Sequence, residues 1–500
     1  MLKKKTRRTL VSSFLSLAVA LVSTVAPATA APAPRAAATI QNDVFWKDTS
    51  GNPVYSQGGG VLKVGGTYYW YGAKYNGAVS YYNNPGGGKN GDTSLSAITI
   101  YSSTDLANWK FEGNALTGSE LGGGWVGRIG VARNPNTGKY VLVSQLNSGL
   151  VFATSSTPNG RFTRAGTQSS IANVSTGMSG DQSVFTDDDG KAYLIYSNKS
   201  GRSHLYVSSL RASDFLQVDP AKNVYNSSAG GREGNIMFKY GGTYYFCSSD
   251  LHGWNSSHTY CISAKNIMGP YSAEFVLQGT DADFSHVTQT GLAFTVTGSQ
   301  GSFVMFGGDR WSDFAGNGIG YNQWLPVTFT GTTPVFHSPS QWTVDAAAGT
   351  WSVGRGNNHV LNPSAEADRV AQNNLAGWTI SGGNVNSNKQ GGHTGRWAFA
   401  QSSSSAYTAS RYQNISLPNG TYTLSAWVKS SGGQKKATIF AKNFGGSELS
   451  ASISQALGSW TKVSVSGIAV TNGSIQVGLF SDANAGNWVN VDDFSLVQTG

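Results

Sequence analysis

The stretch Gly231–Asp250, GREGNIMFKYGGTYYFCSSD, decides how the chain is read. Two short runs rich in aromatic and β-branched residues, IMFKY and TYYFCSS, flank a Gly-Gly pair, the pattern of two strands joined by a tight turn. One acid, Glu233, stands just ahead of the first strand. A carboxylate there is carried into a sheet-lined pocket, where burial raises its pKa and suits it to give up a proton near neutral pH. The competing reading pairs Glu233 with its neighbour Arg232 in an ordinary salt bridge.

The pattern recurs. A Gly-bearing turn followed by an aromatic or aliphatic strand appears as GGTYYWYGAKY from Gly65, TGKYVLVSQLN from Thr137, DGKAYLIYSNK from Asp189, GGTYYFCSSDL from Gly241 and, more loosely, GSFVMFGGDRW from Gly301. Each is followed by a further strand-like run, such as AITIYSSTDLANW or HTYCISAKNIMGPY. Several short strands per period of roughly 50 to 70 residues, with almost no helix signal, predict an all-β five-bladed propeller over residues 39–345. A lone four-stranded sheet cannot bury both faces, so blades stack around an axis and their innermost strands converge on a central pocket.

Residues 1–30 read as a secretory signal: a basic head at Lys3, Lys4, Lys5, Arg7 and Arg8, the apolar run LVSSFLSLAVALVSTVA, and Ala28-Thr29-Ala30 as the cleavage site. An Ala/Pro-rich leader, 31–38, follows. The head holds five basic residues, so the net charge of +9 for all 500 residues falls to +4 without it, which argues against a nucleic-acid partner. The mature protein is expected to be extracellular, monomeric and free of the membrane. With 64 Gly, 14 Trp and 22 Tyr the composition suits an exported β protein with many tight turns and sugar-stacking rings. The two cysteines, Cys247 and Cys261, lie in strand-like runs of one repeat; a disulfide between neighbouring strands is expected, against two buried thiols.

On YSQGGGVLKVGGTYYWYG, YSSTDLANW, SGDQSVFTDDDGKAYLIYS, REGNIMFKYGGTYYF, HVTQTG and GDRW, residues 40 to 350 resemble glycoside hydrolase family 43, and within it the exo-β-1,3-galactanase branch. The resemblance implies an inverting hydrolase, in which an acid protonates the leaving oxygen and a base on the opposite face activates water, about 6.5–9.5 Å away. It implies that Glu233 is the general acid and that Asp181, in SGDQSVF, is the carboxylate that tunes it; a turn-capping role is the alternative for Asp181. Most of the family has an Asp base in the first blade, where this chain reads Ser56-Gln57-Gly58. The galactanase branch also lacks it and is implied to use a Gln, matched here by Gln289 in HVTQTG; a pocket-lining hydrogen bonder is the alternative. The branch often has a further acid where this chain reads Gly127-Arg128.

Sugar contacts are expected from Trp254 and Trp311, then Tyr71 and Trp125, with Gln57 and Arg310 as polar partners; each ring has blade-packing core as its alternative, and Arg310 a structural pairing with Asp309. The lone histidines His252 and His286 do not form a metal pattern, and catalysis is expected to need no cofactor.

After a linker, 346–358, Ser, Asn and Gly rise and strands come at short spacing, predicting a β-sandwich over 359–500. It resembles jelly-roll carbohydrate-binding modules. That resemblance implies a structural Ca²⁺ held by Glu366 in NPSAE and Asp492 in VDDFSL with backbone carbonyls. Trp397, Tyr407 and Trp488 are the candidate sugar-binding rings, while Trp427 and Trp460 alternate like core residues. The leading reading is a secreted exo-hydrolase of β-1,3-galactan, the backbone of plant arabinogalactan. An α-L-arabinofuranosidase or β-galactofuranosidase of the same fold, and a propeller that only binds glycan, remain open beside it.

Overall fold

The computed structural model describes residues 1–2, 37–85, 91–310 and 321–500. Nearly all of the expected signal and of the leader lies outside the described residues, as does Trp311. Among the described residues no helix is long and apolar enough to cross a membrane.

The chain is all-β. Five antiparallel four-stranded sheets follow one another, each made from four consecutive strands. Their first strands are Gln57–Val64, Val126–Arg133, Ser179–Thr186, Arg232–Tyr240 and Gln289–Thr297. In the fourth sheet the Gly241-Gly242 turn has φ of 55° and 69°, a region that glycine enters without steric cost. Thr243–Asp250 therefore folds back in register, Tyr245 opposite Phe238. Cys247 lies directly opposite Cys261 on the next strand and is bonded to it.

Each first strand touches the first strand of the next sheet, and the fifth returns to the first, so the sheets close into a propeller-like ring. Every neighbouring pair shares its own apolar core. Ile100 and Leu142 lie between the first and second sheets, Phe152 and Leu194 between the second and third, Ile195 and Phe246 between the third and fourth, and Phe238 and Leu325 between the fourth and fifth. The closing seam is built of tryptophans: Trp324 of the fifth sheet packs at 4.9 Å from Trp70 in the first sheet and 5.2 Å from Trp109 in the turn before that sheet's last strand. Asn42 fastens the N-terminal segment to this seam, its side chain donating to the Trp324 carbonyl at 2.9 Å. Ala38–Gln41 then pairs with Gln341–Asp345, which pairs with Thr350–Val353. The stretch read as a linker thus holds a strand.

The C-terminal part consists of two five-stranded sheets on one shared core. Two of its three candidate rings are buried, which corrects the sequence reading. Trp397 opens a strand whose Trp397 and Phe399 face that core, and the Tyr407 hydroxyl donates inward to the Gln401 carbonyl at 3.2 Å. Trp488 stays half-buried at the surface. Trp427 goes the other way: with Leu424, Ala426 and Val428 all in the core, strand alternation turns it outward, where it stacks on His393 at 3.9 Å. Trp460 is likewise half-buried.

Candidate active site

All five first strands break register near their N-terminal end: between Gln57 and Gly60, Gly127 and Ile129, Ser179 and Gln182, Glu233 and Ile236, and Thr290 and Leu292. A bulge re-aims the side chain beside it. Here the bulged ends deliver Gly58, Arg128, Asp181, Glu233 and Gln289 to a single cavity of about 210 Å³. Trp125, Trp254, Tyr75 and Arg202 complete much of its wall.

Glu233 is 7% exposed. Its Oε2 meets Arg202 Nη1, and its Oε1 accepts from Gln289 Nε2 at 2.7 Å. The Arg232 pairing is excluded, because Arg232 forks onto Glu274, at 2.8 Å and 2.5 Å. Burial and the nearby Asp181 charge push the Glu233 carboxyl up to about 7, against the pull of Arg202 and Arg128. Burial also raises Asp181, but there the charges of Arg128 and Arg202 and the Gly234 N–H, 3.0 Å away, outweigh it and hold the carboxyl below its ordinary range. Neighbouring acids whose environments drive their pKa values apart can divide the work of proton donor and ionised partner between them.

Arg128 is the hub. It donates to Asp181 Oδ2 at 3.3 Å, Asp309 Oδ2 at 3.1 Å, the Thr290 carbonyl at 3.0 Å and Gln289 Oε1 at 2.6 Å. Asp309 also accepts from the Gly58 N–H at 3.1 Å, and burial pushes it up to about 6. Three carboxyl groups thus face two guanidinium groups, a set that balances when one carboxyl keeps a proton. Arg128, Arg202 and Asp309 were missed as site residues. Arg128 and Asp309 left a signal, a charge within the otherwise apolar runs VGRIGVA and FVMFGGD. Arg202 sits in a polar hairpin loop and left none.

Gln289 reaches the cavity beside the acid, its nitrogen on Glu233 and its oxygen on Arg128. It follows a left-handed turn in which Phe284, Ser285, His286 and Val287 have φ between 50° and 57°. Such a turn costs roughly 1–2 kcal/mol per residue. Asp283 holds it by accepting the His286 N–H at 2.9 Å, and Ser285 by donating to the Ser257 carbonyl at 2.8 Å.

Trp125 and Trp254 line the cavity, Trp254 being 36% exposed. Gly127 makes room for Trp125: a Cβ there would lie 2.2 Å from the indole ring, so the ring takes the space next to the strand that an acid at 127 would use. Three other expectations are corrected. Tyr71 is fully buried between sheets, its hydroxyl donating to the Pro158 carbonyl at 2.6 Å. Gln57 is buried next to Gly58 and does not line the cavity. Arg310 pairs with Asp43 and lines a different cavity together with His286.

The profile of glycosyl hydrolases family 43 matches residues 51–311, just over half of the chain and all five bulges. The protein belongs to that family. It is a glycoside hydrolase. Among solved structures of similar fold, an exo-β-1,3-galactanase from Phanerochaete chrysosporium with β-1,3-galactotriose is 22% identical, with a TM-score of 0.57 over 92% of this chain and 100% of that one. An exo-β-1,3-galactanase from Clostridium thermocellum is 21% identical, with a TM-score of 0.56 over 92% and 100%. A 1,6-α-glucosyltransferase from Sporosarcina globispora is 31% identical over 153 residues, 28% of this chain; the family 43 chain spans only 12% of that protein's length.

Proposed function

We propose that the protein is a secreted, inverting, exo-acting hydrolase of β-1,3-galactan, the backbone of plant arabinogalactan, acting as a monomer. The observation that carries this reading is the Glu233–Asp181 pair in the wall of the cavity. Glu233, protonated near neutral pH, gives its proton to the leaving glycosidic oxygen. Asp181 stays ionised and opposes loss of that proton. Arg128 fixes Asp181 and the Gln289 amide, and Gln289 steadies the second oxygen of the acid.

The exo assignment rests on size. About 210 Å³ is below the roughly 300–1,000 Å³ that hold drug-sized ligands, so the cavity suits one terminal sugar ring with Trp125 and Trp254 against its C–H faces. The β-1,3-galactan assignment is supported by the names of the two galactanases of similar fold. The five sheets serve as the five blades of a propeller, and the two C-terminal sheets as a jelly-roll carbohydrate-binding module. Product analysis on β-1,3-galactan, arabinan and aryl glycosides side by side tests the reading: release of galactose from β-1,3-galactan alone is expected, and release of arabinose from arabinan overturns it.

Calcium fits the Glu366–Asp492 pair by its chemistry. Both are buried, at 1% and 0% exposed, and both grip one loop: Glu366 accepts the Trp397 N–H at 2.7 Å and Asp492 the His393 N–H at 2.6 Å. Burial and the adjoining Asp493 push Asp492 well above the ordinary carboxylate range, a strain that a divalent cation relieves. Among the described residues no three His, Cys, Asp or Glu side chains gather as a metal cluster, so Glu366 and Asp492 would hold the ion together with backbone oxygens.

A further inference from the structure

The outer face of one C-terminal sheet carries a cleft of about 490 Å³, more than twice the catalytic cavity. Its geometry follows from strand register. Tyr412, Gly478 and Phe440 lie directly opposite one another on three adjacent strands, and Ser410, Phe480 and Thr438 form the next row on the same face. Gly478 therefore lies between two rings, with Gln476 and Phe480 on either side along its own strand. A side chain cannot be accommodated there, because a Cβ at 478 would lie 2.1 Å from the Arg411 carbonyl and 2.8 Å from the Tyr412 Cα. The result is a trough floored by backbone and walled by aromatic rings.

An independent observation points to a ligand. Thr438 lines the cleft and is 5% exposed, and among the described residues its hydroxyl has no hydrogen-bond partner. An unpaired buried hydroxyl costs about 1–3 kcal/mol, which a ligand hydroxyl at this place removes. Beside it, Ser410 and Gln476 offer polar groups that bond to Ser381 and Asn414, at 2.8 Å each. Lys436 and Lys442 lie over Phe480 and Phe440, at 5.6 Å and 5.1 Å.

Resting on the hydrolase reading above, we propose that this cleft binds an internal stretch of the same galactan chain whose end enters the catalytic cavity. Pyranose rings present C–H faces to the half-buried Tyr412 and Phe480, with Phe440 buried beneath them, and hydroxyls to Thr438 and Gln476. The volume holds several linked sugars, whereas the catalytic cavity takes one. The cleft thus replaces Trp397 and Tyr407 as the sugar-binding surface of the C-terminal part.

The test uses the full chain carrying Glu233→Gln, so that the polysaccharide stays intact, in affinity gel electrophoresis through soluble β-1,3-galactan, with melting temperature as the fold control. Adding Phe480→Ala or Tyr412→Ala is expected to weaken retardation tenfold or more. Thr438→Val, which keeps the shape and removes the hydroxyl, is expected to weaken it severalfold without loss of melting temperature. Retardation equal to the parent in Thr438→Val and either ring variant overturns the proposal, as does a parent chain that neither β-1,3- nor β-1,4-galactan retards. Product analysis on the wild type reports separately on the hydrolase reading: release of arabinose rather than galactose overturns that reading and leaves the retardation result to decide the cleft.

Discussion

Arg202 Nη1 lies between two carboxylates, against Glu233 Oε2 and 3.3 Å from Asp181 Oδ1. The loop that carries it is anchored to the fourth sheet, because the Arg202 carbonyl accepts the Arg232 N–H at 2.8 Å. One cation therefore steadies the tuner and at the same time lowers the proton affinity of the acid.

Removing that cation is expected to make Glu233 a weaker acid. An opposite charge this close lowers a carboxyl pKa by about 1–3 units, so Arg202→Gln is expected to move the alkaline limb of the kcat/KM profile upward by one unit or more from about 7. A limb that stays in place would exclude Arg202 from setting the acid.

Glu233→Gln is expected to lose at least about a hundredfold in rate while substrate still binds, since general acid catalysis contributes about 10²–10⁴. The variant also has a stability signature. The folded pKa, about 7, lies above the ordinary glutamate value of 4.5, so the folded state holds the proton between those values and stability falls as pH rises through that window. The glutamine does not titrate. Its melting temperature relative to wild type is therefore expected to be higher at pH 8 than at pH 4.5, and a constant difference across that range contradicts the assignment.

Much of this site was legible because its spacing repeats. The turn-and-strand pattern located the five sheets, and Glu233 and Asp181 stood out as acids at strand starts. The contributions of Arg128 and Asp309 depend on bulges that bring separate strands together, and nothing local to either strand encodes that meeting. Tyr71 and Trp397 failed as sugar contacts for a related reason: an aromatic residue in a strand has the same sequence signature whether its face turns to core or to solvent. Trp427 failed in the opposite direction, and only the partner sheet decides which face is inside.

Arg128 gives a prediction for stability. Its guanidinium is the shared partner of Asp181 and Asp309, with side chains only 6%, 10% and 5% exposed. Arg128→Ala leaves buried charge uncompensated and is expected to cost about 3–5 kcal/mol in urea unfolding at pH 8. The cost is expected to shrink as pH falls toward about 6, because Arg128 lowers the Asp309 carboxyl to that value and without Arg128 it takes up its proton at higher pH. A loss below 1 kcal/mol at pH 8 would show that these carboxyls do not depend on Arg128.

Chelator is expected to lower the melting temperature of the full chain, and added Ca²⁺ to restore it, by mass action on the folded state. Glu366→Gln is expected to abolish the response. Identical melting curves with chelator and with calcium remove the ion from the C-terminal part.

Gln289 decides how water is activated. In the structure its amide touches the acid at 2.7 Å, whereas an inverting pair stands about 6.5–9.5 Å apart with sugar and water between. For Gln289 to work on the water, the arriving sugar must part it from Glu233 and leave its oxygen polarised by Arg128. Gln289→Ala is then expected to lower kcat a hundredfold or more with little change in KM, because the lost interaction exists only in the transition state. Gln289→Glu is expected to retain more activity than the alanine, a carboxylate being the better base at that position. Proton NMR of the first-formed anomer tests the premise beneath both variants. Inverted configuration is expected; retained configuration requires a double displacement through a covalent sugar, in which Gln289 holds the acid in place and no residue opposite Glu233 activates water in the first step.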